Sequence, residues 1–214
     1  MSSVLLERPS GVLAVGAHPD DVEIGCGGTL LQLARRYQGL PVTVVVFTGS
    51  AERHAESRVA CDLFLSGCKV TMQTFELPDG RLPAHWGEVK QRLEDVAAGL
   101  APDLILGPSP SDAHQDHRLL GELLPTVWRR HLVLGYEVPK YDGDFGRPNV
   151  YIPMSEEIAR TKVELLSKAF QSQTDRDWWD EETFLGLARL RGMECRFRYA
   201  EAFTTNKVTL TWQS

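Results

Sequence analysis

Cysteine is scarce in this sequence and never paired in a chemically suggestive register. Cys26, Cys61, Cys68 and Cys195 include no C-x-x-C pair, which excludes a zinc ribbon and a thioredoxin-type dithiol and leaves four free thiols suited to a reducing compartment. Long apolar runs are missing too. No stretch approaches the roughly 20 residues that cross a bilayer, and the opening MSSVLLERPSG has no basic region leading into an apolar one, so neither a span nor a signal peptide is expected and the cytoplasm is the default compartment. Positive charge is not in excess: 23 Lys and Arg against 29 Asp and Glu give a net charge of −6, which argues against a nucleic-acid or anionic-membrane partner. Low-complexity linkers and solenoid repeats are also lacking, so the 214 residues are expected to form one domain, 1–214.

What is present is an alternation. VLAVGA, with Leu13 to Ala17 at its centre, is a short apolar run of the kind buried on both faces of a sheet. A polar turn and a helical stretch from Gly25 to Tyr37 follow it, with Leu30, Leu31, Leu33 and Ala34 at helical spacing. The pattern recurs with strands at Val42–Thr48, Val70–Leu77 and Leu104–Ser109, and with helices at Glu52–Leu65, at Gly87–Leu100 and after Asp116, the last expected to bend at Pro125. Strands alternating with helices predict an α/β, doubly wound, mostly parallel sheet with right-handed crossovers. Beyond Arg130 a C-terminal elaboration is expected: a strand in LVLGYEV, a helix from Ser155 to Phe170 with Ser155 as N-cap, and a final strand in TTNKVTLTW.

Ligands of such a sheet bind at the carboxyl ends of its strands. Two loops there hold most of the suspicious side chains: His18-Pro19-Asp20-Asp21 after the first strand and His114-Gln115-Asp116-His117 after the fourth. Two imidazoles and a carboxylate brought together would form a three-ligand site with one open position, the pattern of a catalytic zinc. Taken singly, each loop has a plainer explanation, since Asp often caps a helix and His is often exposed. Gly25-Cys26-Gly27-Gly28 lacks the spacing of a nucleotide fingerprint and reads as close helix-to-sheet packing.

AHPDDVEIGCGGTL (Ala17 to Leu30) and DAHQDHR (Asp112 to Arg118) resemble the two signature motifs of the LmbE-like (PIG-L) N-acetylglucosamine deacetylases, zinc enzymes with a Rossmann-like fold. Weaker likeness continues through Arg53-x-x-Glu56, Leu77-Pro-Asp-Gly80, Tyr136-Glu137 and Tyr199-Ala-Glu-Ala-Phe203. The resemblance implies His18, Asp21 and His117 as metal ligands, Asp20 as general base and His114 as a protonated or polarising imidazole. Zinc is the implied metal, with another divalent ion such as Fe2+ as the alternative, and a homo-oligomer is one assembly the resemblance allows. Relatives that act on thiol-cofactor precursors often have Pro where Gln115 stands, which points this chain toward a different substrate.

The chemistry that the resemblance implies suits these residue types. A water activated by the metal attacks the amide of an N-acetylated amino sugar or glycoside, Asp20 takes its proton, and His114 assists the oxyanion and the leaving amine. Arg53 is a candidate for substrate hydroxyls, and Asp116 for orienting an imidazole. Asp79 reads as turn chemistry, and at least one of Trp178 and Trp179 as core. Competing readings are another amidase on the same metal site, a non-haem iron oxygenase using two His and a carboxylate, and a non-catalytic nucleotide-binding module.

Overall fold

The computed structural model describes residues 6–209. Its centre is a seven-stranded sheet in the order β3-β2-β1-β4-β5-β7-β6. The strands are β1 (Val12–Gly16), β2 (Pro41–Thr48), β3 (Lys69–Leu77), β4 (Leu104–Pro108), β5 (Leu132–Tyr136), β6 (Val150–Met154) and β7 (Tyr199–Thr204). The first five pair in parallel, whereas β7 runs antiparallel to both β5 and β6. The helices are α1 (Asp21–Arg36), α2 (Ala51–Phe64), α3 (Trp86–Ala98), α4 (Gln115–Val127), α5 (Glu156–Ala169) and α6 (Glu181–Glu194).

Alternating strand residues feed two cores, one on each face of the sheet. Val12, Ala14, Val42, Val44, Val46, Leu104 and Leu106 pack under α1, α2, α5 and α6. Leu13, Val15, Val45, Phe47 and Ile105 face α3 and α4. Continuous burial of β1 and β4 explains why both read as unbroken apolar runs.

The elaboration places its final strand earlier than expected and contains two elements, β6 and α6, that the sequence did not announce. Among the described residues the last strand is Tyr199–Thr204, which ends at the first residue of TTNKVTLTW; residues 205–209 of that expected strand are not extended into the sheet, and 210–212 lie outside the described residues. Strand β6 and helix α6 carry no clean period: β6 includes Pro153, and the buried residues of α6 are Phe184, Ala188, Arg191 and Gly192. Pro125 sits in the last turn of α4, which continues to Val127.

Helix α1 is longer than its apolar pattern, beginning at Asp21, and it loses helical geometry at Cys26 (φ −141°, ψ 16°). Its glycines do serve close packing. A Cβ on Gly25 would lie 2.2 Å from the Tyr136 ring, one on Gly27 2.7 Å from Phe64, and one on Gly28 2.7 Å from Met154 Sδ.

Candidate active site

Strands β1 and β4 are neighbours, and the helices that follow them lie on opposite faces, so the loops leaving their carboxyl ends diverge around a crevice. The first loop brings His18, Asp20 and Asp21, and the second brings His114 and His117. Gly49, after β2, has φ +123°, and a Cβ there would collide with Pro19, so this glycine lets the β2 loop close against the first motif.

Asp21 is fixed by its own loop. Its Oδ2 accepts hydrogen bonds from the amides of Ala17 (2.9 Å) and His18 (2.8 Å), while Oδ1 lies 3.1 Å from His117 Nε2. His18 Nδ1 is 3.1 Å from that same His117 nitrogen and 3.4 Å from Asp21 Oδ2. The three residues thus close a triangle of contacts of 3.1 to 3.4 Å, in which each of the two histidines meets a different oxygen of the Asp21 carboxylate.

Metal bonds of 2.0 to 2.2 Å place neighbouring ligand atoms about 2.9 Å apart in an octahedron and about 3.4 Å apart in a tetrahedron. The triangle falls within that interval. Charge agrees with geometry. Burial works against protonation of both rings, yet Asp21, Asp116 and Asp79 raise His18 well above its ordinary value, and Asp21 and Asp112 push His117 up to about 9. Burial likewise opposes ionisation of Asp21, but His117 and His18 hold its carboxyl well below the usual range. Two imidazolium rings cannot share a 3.1 Å gap between facing nitrogens, whereas one cation in the gap would satisfy both lone pairs and the carboxylate. His18, His114 and His117 also have ring nitrogens within 4.8 Å of one another. His114, however, is differently engaged: it caps α4, its Nδ1 accepting the Asp116 amide at 3.2 Å.

A further carboxylate, not singled out in the sequence, orients His117. Asp112 Oδ2 lies 3.1 Å from His117 Nδ1, which leaves Nε2 for the triangle, and Lys140 Nζ sits 3.0 Å from the other Asp112 oxygen. Its signal was present in the DAHQDHR motif, five residues before His117. Asp116 is wholly buried and accepts from the amides of Gly80 (2.7 Å) and Leu82 (3.0 Å), pinning the Leu77–Gly80 loop onto the start of α4. That loop puts Asp79, taken above as turn chemistry alone, 3.0 Å from His18 Nε2, with Asp116 3.4 Å from the same atom. Neither oxygen lies along the ring N–H direction, so Nε2 has no aligned partner among the described residues.

Asp20 occupies a left-handed conformation, φ 107°, which is rare for a residue with a Cβ and clusters at functional loops. Its Oδ2 accepts from Arg53 Nη2 at 2.6 Å, and Arg53 Nη1 donates to Glu56 at 2.6 Å and to Ser172 at 3.0 Å. The Arg53 fork thus holds protein carboxylates at the crevice wall. Burial and the neighbouring Asp21 raise Asp20 to about 7 against the pull of Arg53. Beside these groups opens a cavity of about 580 Å³, whose lining also includes Gln173, Arg176 and Trp178. Trp179 instead packs into the core against Phe170 and Phe184, and Glu137 is tied to Arg191 by contacts of 2.6 and 2.9 Å.

With that geometry in place, comparison with known proteins is informative. Residues 13–128, both motifs included, match the family model described as PIG-L: GlcNAc-PI de-N-acetylase. The chain belongs to this family. It is 33% identical to the uncharacterized deacetylase YaiS of Escherichia coli (strain K12), covering 75% of this chain and 91% of that one. It is 26% identical to the diacetylchitobiose deacetylase of Thermococcus kodakarensis, over 89% of this chain and 80% of the relative. Among solved structures, GalB, the 4-carboxy-2-hydroxymuconate hydratase from Pseudomonas putida KT2440, superposes with a TM-score of 0.77 at 18% identity, over 96% of this chain and 99% of that one. At that identity the likeness is one of fold, and it shows that the framework alone does not choose the reaction.

Proposed function

We propose that this protein is a divalent-metal N-deacetylase, zinc being the preferred ion, that hydrolyses the acetamide of an N-acetylglucosamine-type sugar or glycoside to a free amine and acetate. The observation that carries the reading is the triangle of His18 Nδ1, Asp21 and His117 Nε2 opening onto a cavity in which Asp20 and His114 stand beside it. Membership of a de-N-acetylase family and likeness to a diacetylchitobiose deacetylase support the substrate class. The four free thiols fit a cytoplasmic setting.

His18, Asp21 and His117 would hold the ion, which when bound supplies Lewis acidity and lowers the pKa of water to about 7. Asp20 accepts the proton of the attacking water. Its carboxyl, buried beside Asp21 and steered by Arg53, then returns that proton to the departing nitrogen. His114 has its Nδ1 occupied by the Asp116 amide, so its ring hydrogen sits on Nε2. Burial and the two other imidazoles hold its pKa down. It therefore acts as the polarising imidazole, donating to the carbonyl oxygen as charge grows on it. Trp178 lines the cavity, where a sugar ring can lie against it.

The test is release of free amine from N-acetylglucosamine, N,N′-diacetylchitobiose and aryl glycosides of N-acetylglucosamine, with metal content measured on the same preparation. Release that a chelator abolishes and zinc restores is expected. Metal-loaded protein that releases no amine from any of these would overturn the substrate class, and turnover requiring oxygen and ferrous iron would replace hydrolysis by oxygenase chemistry.

A further inference from the structure

The break in α1 is bridged by a buried ion pair from a distant part of the chain. At Cys26 the helix divides into a short first segment that begins at Asp21 and a longer second one. Such a break leaves carbonyls at the end of the first segment and amides at the start of the second without helical partners. Lys162, from α5, donates to Ile24 O at 2.6 Å. Glu201, from β7, accepts the Gly28 amide at 2.7 Å, the Thr29 amide at 2.6 Å and the Thr29 hydroxyl at 2.6 Å. Lys162 Nζ and Glu201 Oε1 complete the bridge at 2.7 Å. Both side chains are buried.

Burying two ions costs several kcal/mol each in desolvation, and an apolar pair of the same volume often serves stability as well or better. What an apolar pair cannot do is grip both sides of a helix break. From Cys26 back to Asp21 the helix rises about 7.5 Å, so a tilt of about 10° at the break moves the Asp21 backbone by about 1.3 Å. Metal sites tolerate ligand displacements of about 0.2 Å. We infer that Lys162 and Glu201 are a positioning pair: by clamping the α1 break they set the tilt of its first turn and hence the place of Asp21 opposite His117. The inference rests on the metal reading of His18, Asp21 and His117.

The experiment uses the full chain stripped of metal, with Zn2+ and Co2+ as probes. Zinc Kd is measured by competition with a chromophoric chelator, the cobalt d–d spectrum reports ligand geometry, and circular dichroism and melting report the fold. Glu201→Gln, and the double variant Lys162→Met with Glu201→Gln, which leaves no unpaired buried charge, are expected to bind zinc 10- to 100-fold more weakly than the parent and to shift the cobalt bands. Thr29→Val, which removes one hydroxyl bond to Glu201, gives a smaller loss in the same direction and carries the test if the other two do not fold. A pair that only stabilises the fold would lower the melting temperature and leave the zinc Kd and the cobalt spectrum of the folded chain as in the parent, and that result overturns the inference. Failure of the parent itself to bind zinc would instead sink the metal reading on which the inference stands.

Discussion

Two polar clusters lie on either side of the Cys26 break, built from similar parts and left in opposite states. Around Glu201 four donors meet one carboxylate, and Lys162 finds both a carboxylate and a carbonyl, so every charge is answered within the protein. Around Asp21 the imidazole nitrogens of His18 and His117 face each other at 3.1 Å, and His18 Nε2 has no aligned partner. The saturated cluster holds shape. The other gathers two ring nitrogens and a carboxylate within 3.1 to 3.4 Å of one another beside a cavity, a donor set suited to a cation.

The contrast breaks most sharply at the triangle. Asp21→Ala and His117→Ala are expected to abolish stoichiometric zinc binding and amine release together, read by metal analysis after gel filtration; retention of full metal by both would refute the triangle. Asp20→Asn separates proton transfer from ligation: metal content stays at the parent level while kcat falls by about 10²- to 10⁴-fold. Loss of metal in Asp20→Asn with Asp21→Ala unaffected would exchange the roles of the two carboxylates. Asp112→Asn sharpens the picture one shell out, with zinc affinity lowered about 10- to 100-fold through the freed His117 ring. The smallest effect probes packing alone: Gly25→Ala, which drives a Cβ into the Tyr136 ring, is expected to cost about 1–3 kcal/mol in chemical denaturation. A neutral result there would mean that Tyr136 swings aside and that the glycines are not packing devices.

The legibility of the sequence followed burial. Strands β1, β2 and β4 were readable because parallel strands covered on both faces become continuous apolar runs, whereas β3, an edge strand with no fully buried residue, showed itself by its β-branched and aromatic residues. Helix α5 was read with its Ser155 N-cap, but β6 and α6 were harder, since β6 keeps four of its five residues only half-buried and α6 buries Arg191 beside Phe184 and Ala188. Within the site, His18, Asp20, Asp21, His114 and His117 stood out because each sits in a compact motif on a loop. Asp112 was overlooked although it opens the second motif, because its role depends on which His117 nitrogen it contacts. Asp79 was read as a turn residue for a similar reason: only the pinning of its loop by Asp116 brings it to His18. Arg53 is a candidate for substrate hydroxyls on residue type, and the fold puts it in the cavity lining with its fork on Asp20 and Glu56, partners that the sequence did not reveal.

The order of strands and helices, the placing of two histidine- and aspartate-bearing loops at one edge of the sheet, and the likeness to a deacetylase family were all determined by the sequence alone. Periodicity and motif spacing are local properties, and they survive without knowledge of the fold. The tertiary structure decided which donor atoms converge, which carboxylate orients His117, and what holds the break in α1. Those depend on contacts between residues as far apart as His18 and His117 or Thr29 and Glu201, and distance along the chain carries no information about distance in space until the sheet has closed.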